Sequence, residues 1–209
     1  LLQSFLRVVT LMTQQLLEWK ELRVEIGTST DISRAAYIAA VINEAYGRQR
    51  TSTKEVAYRL QCGNKPDANR VLHLAWRGDR FVGCASSTLN WSINGCGQWG
   101  FLAVAVSDKC TGVGSALVKA AEERCQRHGC RRIQIEYEWR PCSRDGRRVH
   151  EWYWRLGFRP TLVGAFIAAV GFLFMSVAAG EVRTFLICQK SLRPSSQRPT
   201  ETGNKLHPY

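Results

Sequence analysis

The sequence predicts an α/β fold, a mixed sheet flanked by helices, with an apolar insertion before the last strand. Three observations carry this. Apolar positions follow strand or helix periods in the order strand, two helices, three strands, helix, strand, helix, strand. Two of those strands flank Arg77-Gly78-Asp79-Arg80, a polar link of the kind that closes a hairpin. Trp99 to Val118 (WGFLAVAVSDKCTGVGSALV) runs from an apolar strand, through a polar turn with two glycines, into an amphipathic helix.

Each element has its own signal. Leu22 to Gly27 reads as a short strand, and Asp31 can cap a helix from Ile32 to Tyr46. Thr51 to Gln61 reads as a second helix, ended by Gly63, before a loop from Cys62 to Asn69 that carries Gly, Asn, Pro and Asp. Val71 to Trp76 and Phe81 to Leu89 form the hairpin, and Gln98 to Val106 is the central strand. Val113 to His128 is a helix with Val113, Leu117, Ala120 and Ala121 on its buried side, stopped by Gly129. Arg132 to Trp139 is a strand in which Ile133 and Ile135 share one face. Glu136 and Glu138 share a face too, opposite Tyr137, because side chains alternate. Arg147 to Leu156 is the last helix, stopped by Gly157, and a strand from about Val182 to Leu192 closes the domain.

At 209 residues the chain suits one domain, 22–192, with appendages. Residues 1–21 place Leu2, Phe5, Leu6, Val9, Met12, Leu16 and Leu17 at helical spacing, an amphipathic leader helix. A basic start and a small-residue cleavage site are missing, which argues against a secretory signal; a mitochondrial or plastid presequence stays open. Residues 193–209, rich in Pro, Ser and Thr, are expected to be disordered. The net charge of +12 favours acidic ligands. No basic run is interleaved with a nucleic-acid-binding motif, so a nucleic-acid partner is not expected. The eight cysteines show no Cys-x-x-Cys spacing and no Cys/His set of zinc type, so no metal is expected. Their scatter implies reduced, small apolar residues in a reducing, cytoplasmic setting.

The turn after the central strand aims backbone N–H groups and a helix N-terminus at an anion. It lacks the Gly-Lys-Ser/Thr ending of a P-loop, and the third glycine and later acid of a dinucleotide fold. What it has is Lys109-Cys110-Thr111-Gly112-Val113-Gly114, continuing into Ser115, the pattern Gln/Arg-x-x-Gly-x-Gly/Ala with Lys first. This resembles the acetyl-coenzyme A motif of the GNAT superfamily of N-acetyltransferases. Leu102-Ala103-Val104 resembles the family's strand that holds the pantetheine arm. Trp152-Tyr153-Trp154-Arg155-Leu156-Gly157-Phe158 resembles its aromatic-Tyr-x-x-Leu-Gly-Phe helix end.

The resemblance implies a mostly antiparallel sheet, acetyl-CoA as co-substrate, and a primary amine of a small molecule or protein as acceptor. It also implies that a backbone N–H near Val104 binds the thioester oxygen and that Tyr153 is the acid for the leaving thiolate. The central strand carries no carboxylate, so the general base falls to Glu136 or Glu138, with His150 a further candidate. Three departures stand out. Gly146 and Val149 replace an Asn and an Ala common in relatives, Cys110 and Thr111 replace the usual turn residues, and Lys109 lacks the planar fork of Arg. A coenzyme-binding module without turnover is the competing reading.

Thr161 to Gly180 carries no charge over twenty residues, enough for a helix of about 1.5 Å per residue to span a bilayer core. A single crossing would separate the last strand from its sheet. The open readings are a membrane segment with the domain on the cytoplasmic side, a hairpin dipping into the membrane, an insertion packed on the domain, and a translated intron between Val163 and Gly180.

Overall fold

The computed structural model describes residues 24–63, 65, 68–92, 95–140, 143–162 and 184–192. The expected leader and tail lie outside these residues. A seven-stranded sheet runs in the order β1-β2-β3-β4-β5-β7-β6. Its strands are β1 (Glu25–Gly27), β2 (Arg70–Arg77), β3 (Arg80–Ser92), β4 (Cys96–Val104), β5 (Arg132–Trp139), β6 (Arg159–Pro160) and β7 (Thr184–Ser191). All neighbours are antiparallel except β4 and β5, which are parallel. The mixed, mostly antiparallel α/β architecture is thus the one expected.

Among the described residues, four helices cover the sheet: α1 (Ala35–Tyr46), α2 (Thr53–Cys62), α3 (Val113–Arg127) and α4 (Arg144–Arg155). Asp31 caps a short 3-10 turn, Ile32–Arg34, by accepting from the Ser33 N–H, and α1 follows that turn. The second helix starts at Thr53 rather than Thr51, because the Thr51 N–H and C=O are both held by the Asn43 side chain. Ser52 becomes its cap. Helices α1 and α2 bury Ile38, Ile42, Val56 and Leu60 against Leu72, Leu74 and Phe81 on one face of the sheet. Helix α3 buries Val118, Ala121 and Cys125 on the other face, in the cluster that holds Trp99, Ile133, Ile135 and Phe158. Val113 and Leu117 continue that stripe against Val82 and Ala85. Ala120 is only half-buried; the stripe turns instead through Val118, Arg124 and Cys125, which keeps the 3.6-residue period facing the sheet. Helix α4 begins at Arg144, three residues earlier than expected, where the Ser143 hydroxyl accepts from the Gly146 N–H.

Two irregularities in β4 shape the centre. The register with β3 shifts between Cys84↔Ala103 and Ser86↔Gly100, and Phe101 takes a left-handed φ of 52° at that bulge. On its other edge β4 pairs with β5 only at Cys96↔Arg132, Gly97↔Ile133 and Gln98↔Gln134. Both strands continue, β4 to Val104 and β5 to Trp139, without pairing, so the sheet is open between them. The central strand ends two residues sooner than the sequence suggests. Val106–Asp108 turn off as a 3-10 segment because Asp108 is drawn onto Arg77 and Arg80.

Strand β6 has no periodic signal, being two residues ending in a proline, yet it pairs with β7 at Arg159↔Gln189 and Pro160↔Cys188. The Thr161 N–H continues that ladder to the Ile187 carbonyl. Strand β7 lies in the sheet between β5 and β6, so the chain on either side of the apolar run belongs to neighbouring strands. A single membrane crossing does not join two such ends. Residues 163–183 lie outside the described ones, and among the described residues no helix is long and apolar enough to cross a membrane.

Candidate active site

The opening between β4 and β5 gathers the expected residues. Leu102, Ala103 and Val104 form its β4 wall. The Ala105 N–H donates to Val82 on the β3 side. Strand alternation therefore turns the Val104 N–H toward the opposite edge, where no strand pairs with it. From the α1 face the Tyr46 hydroxyl donates to the Leu102 carbonyl at 2.9 Å, a contact 56 residues apart in sequence that local patterns do not reveal.

At the end of β4, Lys109 to Ser115 make a turn into α3. Gly112 is the N-cap with φ 90°, and no side chain caps the helix. The N–H groups of its first turn have no intrahelical partner, and the helix dipole adds positive potential there. Cys110 is exposed with φ 65°, and Lys109 and Ser115 are exposed at the mouth. A Cβ on Gly114 would lie 3.7 Å from Val104 Cγ2 and 3.6 Å from the Trp152 ring, ordinary contact distances, so the helix start lies directly against both walls. The turn is braced from beneath. Arg80 Nη1 and Arg77 Nε reach the buried Asp108 carboxylate at 2.7 and 3.1 Å, and Arg77 Nη2 donates to Thr111 Oγ1 at 3.2 Å. Burial alone would raise the Asp108 pKa. Hydrogen bonds from Arg80 and Ser107 and the charges of both arginines outweigh it and hold the group below its ordinary 3.8.

Tyr153 of α4 sits on the α3–α4 side of the opening. Its ring packs on Tyr137 of β5 and Trp99 of β4, with centroids 4.6 and 5.7 Å away. Burial, then the Tyr46 phenol and the Cys188 thiol, push its pKa far above 10.0. Tyr46 and Tyr153 come from helices on opposite faces of the sheet. His150 is not the free surface histidine that a lone position on a helix suggests. Burial holds Tyr137 protonated and lowers His150, so Tyr137 Oη donates to His150 Nδ1 at 2.5 Å.

Glu136 and Glu138 lie on the opposite face of β5 from Tyr137, as expected. Glu136 is exposed and accepts from Gln134 Nε2 at 3.1 Å. Glu138 is paired with Arg140 at 2.8 Å and Arg48 at 3.8 Å. Gly146, the departure from the family pattern, has a physical cause: a Cβ there would collide with the Arg140 carbonyl, so α4 starts against that backbone only because the residue is glycine. Cys84, Cys96, Cys125, Cys130 and Cys188 are buried thiols, and burial pushes Cys125 up to about 12. Cys142 lies outside the described residues.

A mixed sheet opened at the parallel β4–β5 pair, with an uncapped helix at its mouth, is the frame in which the glycine turn and Tyr153 are set. The family model described as Acetyltransferase (GNAT) family matches residues 36–158, and the chain belongs to that family. Among solved structures, a GNAT-family acetyltransferase from Streptococcus pneumoniae is 16% identical with a TM-score of 0.59, over 82% of this chain and 100% of that one. The PaiA N-acetyltransferase of Thermoplasma acidophilum, in complex with coenzyme A, is 12% identical with a TM-score of 0.58, over 81% and 99%. N-acetylglutamate synthase from Neisseria gonorrhoeae is 17% identical with a TM-score of 0.54, over 82% of this chain and 35% of that longer one. At these identities the likeness is one of fold. No curated protein matches the chain by sequence.

Proposed function

We propose that this enzyme transfers the acetyl group of acetyl-CoA to a primary amine, with the coenzyme held at Leu102 to Val104 and at Lys109 to Ser115. The observation that carries the reading is the conjunction of the opened β4–β5 edge with the bare N-terminus of α3. The donor supplies an activated thioester; the chain supplies orientation and proton handling. Backbone N–H groups of Gly112 to Ser115 bind the pyrophosphate, and the Val104 N–H stabilises negative charge on the thioester oxygen.

Tyr153 acts as the acid. Its raised pKa keeps the phenol protonated throughout the neutral range, so it can donate to the departing sulfur and cannot serve as a base. Glu136 takes the proton of the amine through water. It is supported over Glu138 because Glu138 is already committed to two arginines. The test is a thiol-release assay over a panel of amines, with coenzyme A binding measured by calorimetry. Tyr153→Phe should lower kcat about 100-fold while leaving the coenzyme Kd nearly unchanged. Glu136→Gln should lower kcat/KM at neutral pH and recover toward wild type at high pH, where the free amine no longer needs a base. Coenzyme binding without thiol release for any amine would leave the binding-module reading in its place.

A further inference from the structure

A second cavity, about 540 Å³, opens on the α1–α2 face between α2 and the start of β2. Glu55, Tyr58 and Arg59 of α2, Arg70 of β2 and Ser86 of β3 line it. Arg59 lays its guanidinium over the Phe101 ring, 4.4 Å from the centroid, and Nη2 donates to Glu55 Oε1 at 2.5 Å. Its Nε and Nη1 are buried and have no acceptor among the described residues. Buried N–H groups are almost always satisfied, and what these lack is an oxygen acceptor.

The charge around them is unbalanced. Arg70 stands at the rim, where burial and then the Arg59 charge lower its pKa, the mark of two guanidiniums close together. Glu55 is the one carboxylate lining the cavity among the described residues, and it is already shared with the Thr51 hydroxyl. Two cations against one anion leave a single positive charge, which suits a monoanion. The cavity also adjoins the coenzyme strand. Ser86 Oγ donates to the Gly100 carbonyl at 3.1 Å, and Phe101, under Arg59, immediately precedes Leu102.

Building on the acyl-transfer reading, we propose that the acceptor amine also carries a carboxylate, and that Arg59, with Arg70 beside it, binds that carboxylate. The charge-assisted hydrogen bonds that an arginine makes to a carboxylate would satisfy the two buried donors. The amine end of the same molecule then extends past Phe101 toward the β4–β5 opening.

The experiment compares ω-amino acids, from glycine to aminohexanoate, with the alkylamines that lack the carboxylate, in wild type and in Arg59→Gln. Wild type should favour the best amino acid over its matched amine by at least about tenfold in kcat/KM, about 1.4 kcal/mol. Arg59→Gln should abolish that preference through the acceptor KM, with the coenzyme KM unchanged, and Arg59→Lys should restore part of it. Arg70→Gln, at the rim, should weaken the preference and serves if Arg59→Gln does not fold. Equal use of both series, a preference that survives Arg59→Gln, or a stronger preference for phosphoethanolamine would overturn the proposal. A readout without turnover separates it from the reaction itself. In saturation-transfer NMR, N-acetyl-β-alanine should contact wild type and not Arg59→Gln, and N-ethylacetamide should contact neither. If no amine is acetylated, the acyl-transfer reading fails, and this comparison still decides the carboxylate site: no contact from N-acetyl-β-alanine with wild type overturns it.

Discussion

His73 shows how far one buried group can govern stability. It is 6% exposed, and its Nε2 lies 2.8 Å from Ser87 Oγ, which also accepts from Arg124 Nη1 at 3.1 Å. A guanidinium only donates, so the Ser87 oxygen accepts from Arg124 while sharing a second hydrogen bond with the neutral His73 ring. Burial first, then the charges of Arg124 and Arg127, lower the ring from 6.5 to about 4. Between those two values the unfolded chain holds a proton that the folded one does not. Stability therefore rises with pH across the window and is lost as pH falls from 6.5 toward 4, by on the order of 3 kcal/mol. Urea denaturation at a series of pH values should show this slope in wild type, and His73→Gln should flatten it. Equal slopes in the two proteins would assign the acid sensitivity to other groups.

At the scale of the element, the turn into α3 has its conformation stored in Gly112. A φ of 90° is one that L side chains rarely adopt, and a β-branched residue there costs about 1–3 kcal/mol. No Cβ contact stands in the way, since nothing lies within 4 Å, so the effect of a substitution is conformational rather than steric. Gly112→Val should raise the coenzyme A Kd at least about tenfold, read by calorimetry, because the turn must relax away from the geometry that presents its N–H groups. An unchanged Kd would mean the coenzyme does not use this turn. The same element marks what was legible in the sequence. The glycine turn and Tyr153 are local patterns, each written within a few residues. The opening beside them is not, because it depends on where β4–β5 pairing stops. The Phe101 bulge depends on a shifted register with β3, and Tyr46 reaches Leu102 only once α1 has docked. The sequence places Asp108 only within a polar turn; its role comes from Arg77 and Arg80, which the hairpin brings back from about thirty positions away in sequence.

For the whole molecule, the apolar run poses a question of topology, and its ends answer part of it. Leu162 is 92% exposed and Phe185 is 50% exposed, so the chain leaves and rejoins the domain at its surface. Between them, β6 and β7 are hydrogen-bonded neighbours, with Arg159 opposite Gln189 and Pro160 opposite Cys188. Two antiparallel neighbours need no more than a short turn to be joined. The sheet's closure therefore does not call for the residues between, and loop length alone changes stability only slowly. Replacing residues 163–183 with an Asn-Gly turn should preserve cooperative melting, keep the coenzyme A Kd within about twofold, and increase the share of protein recovered without detergent. Loss of cooperative melting in the shortened chain would show instead that the apolar run packs against the domain and completes its core.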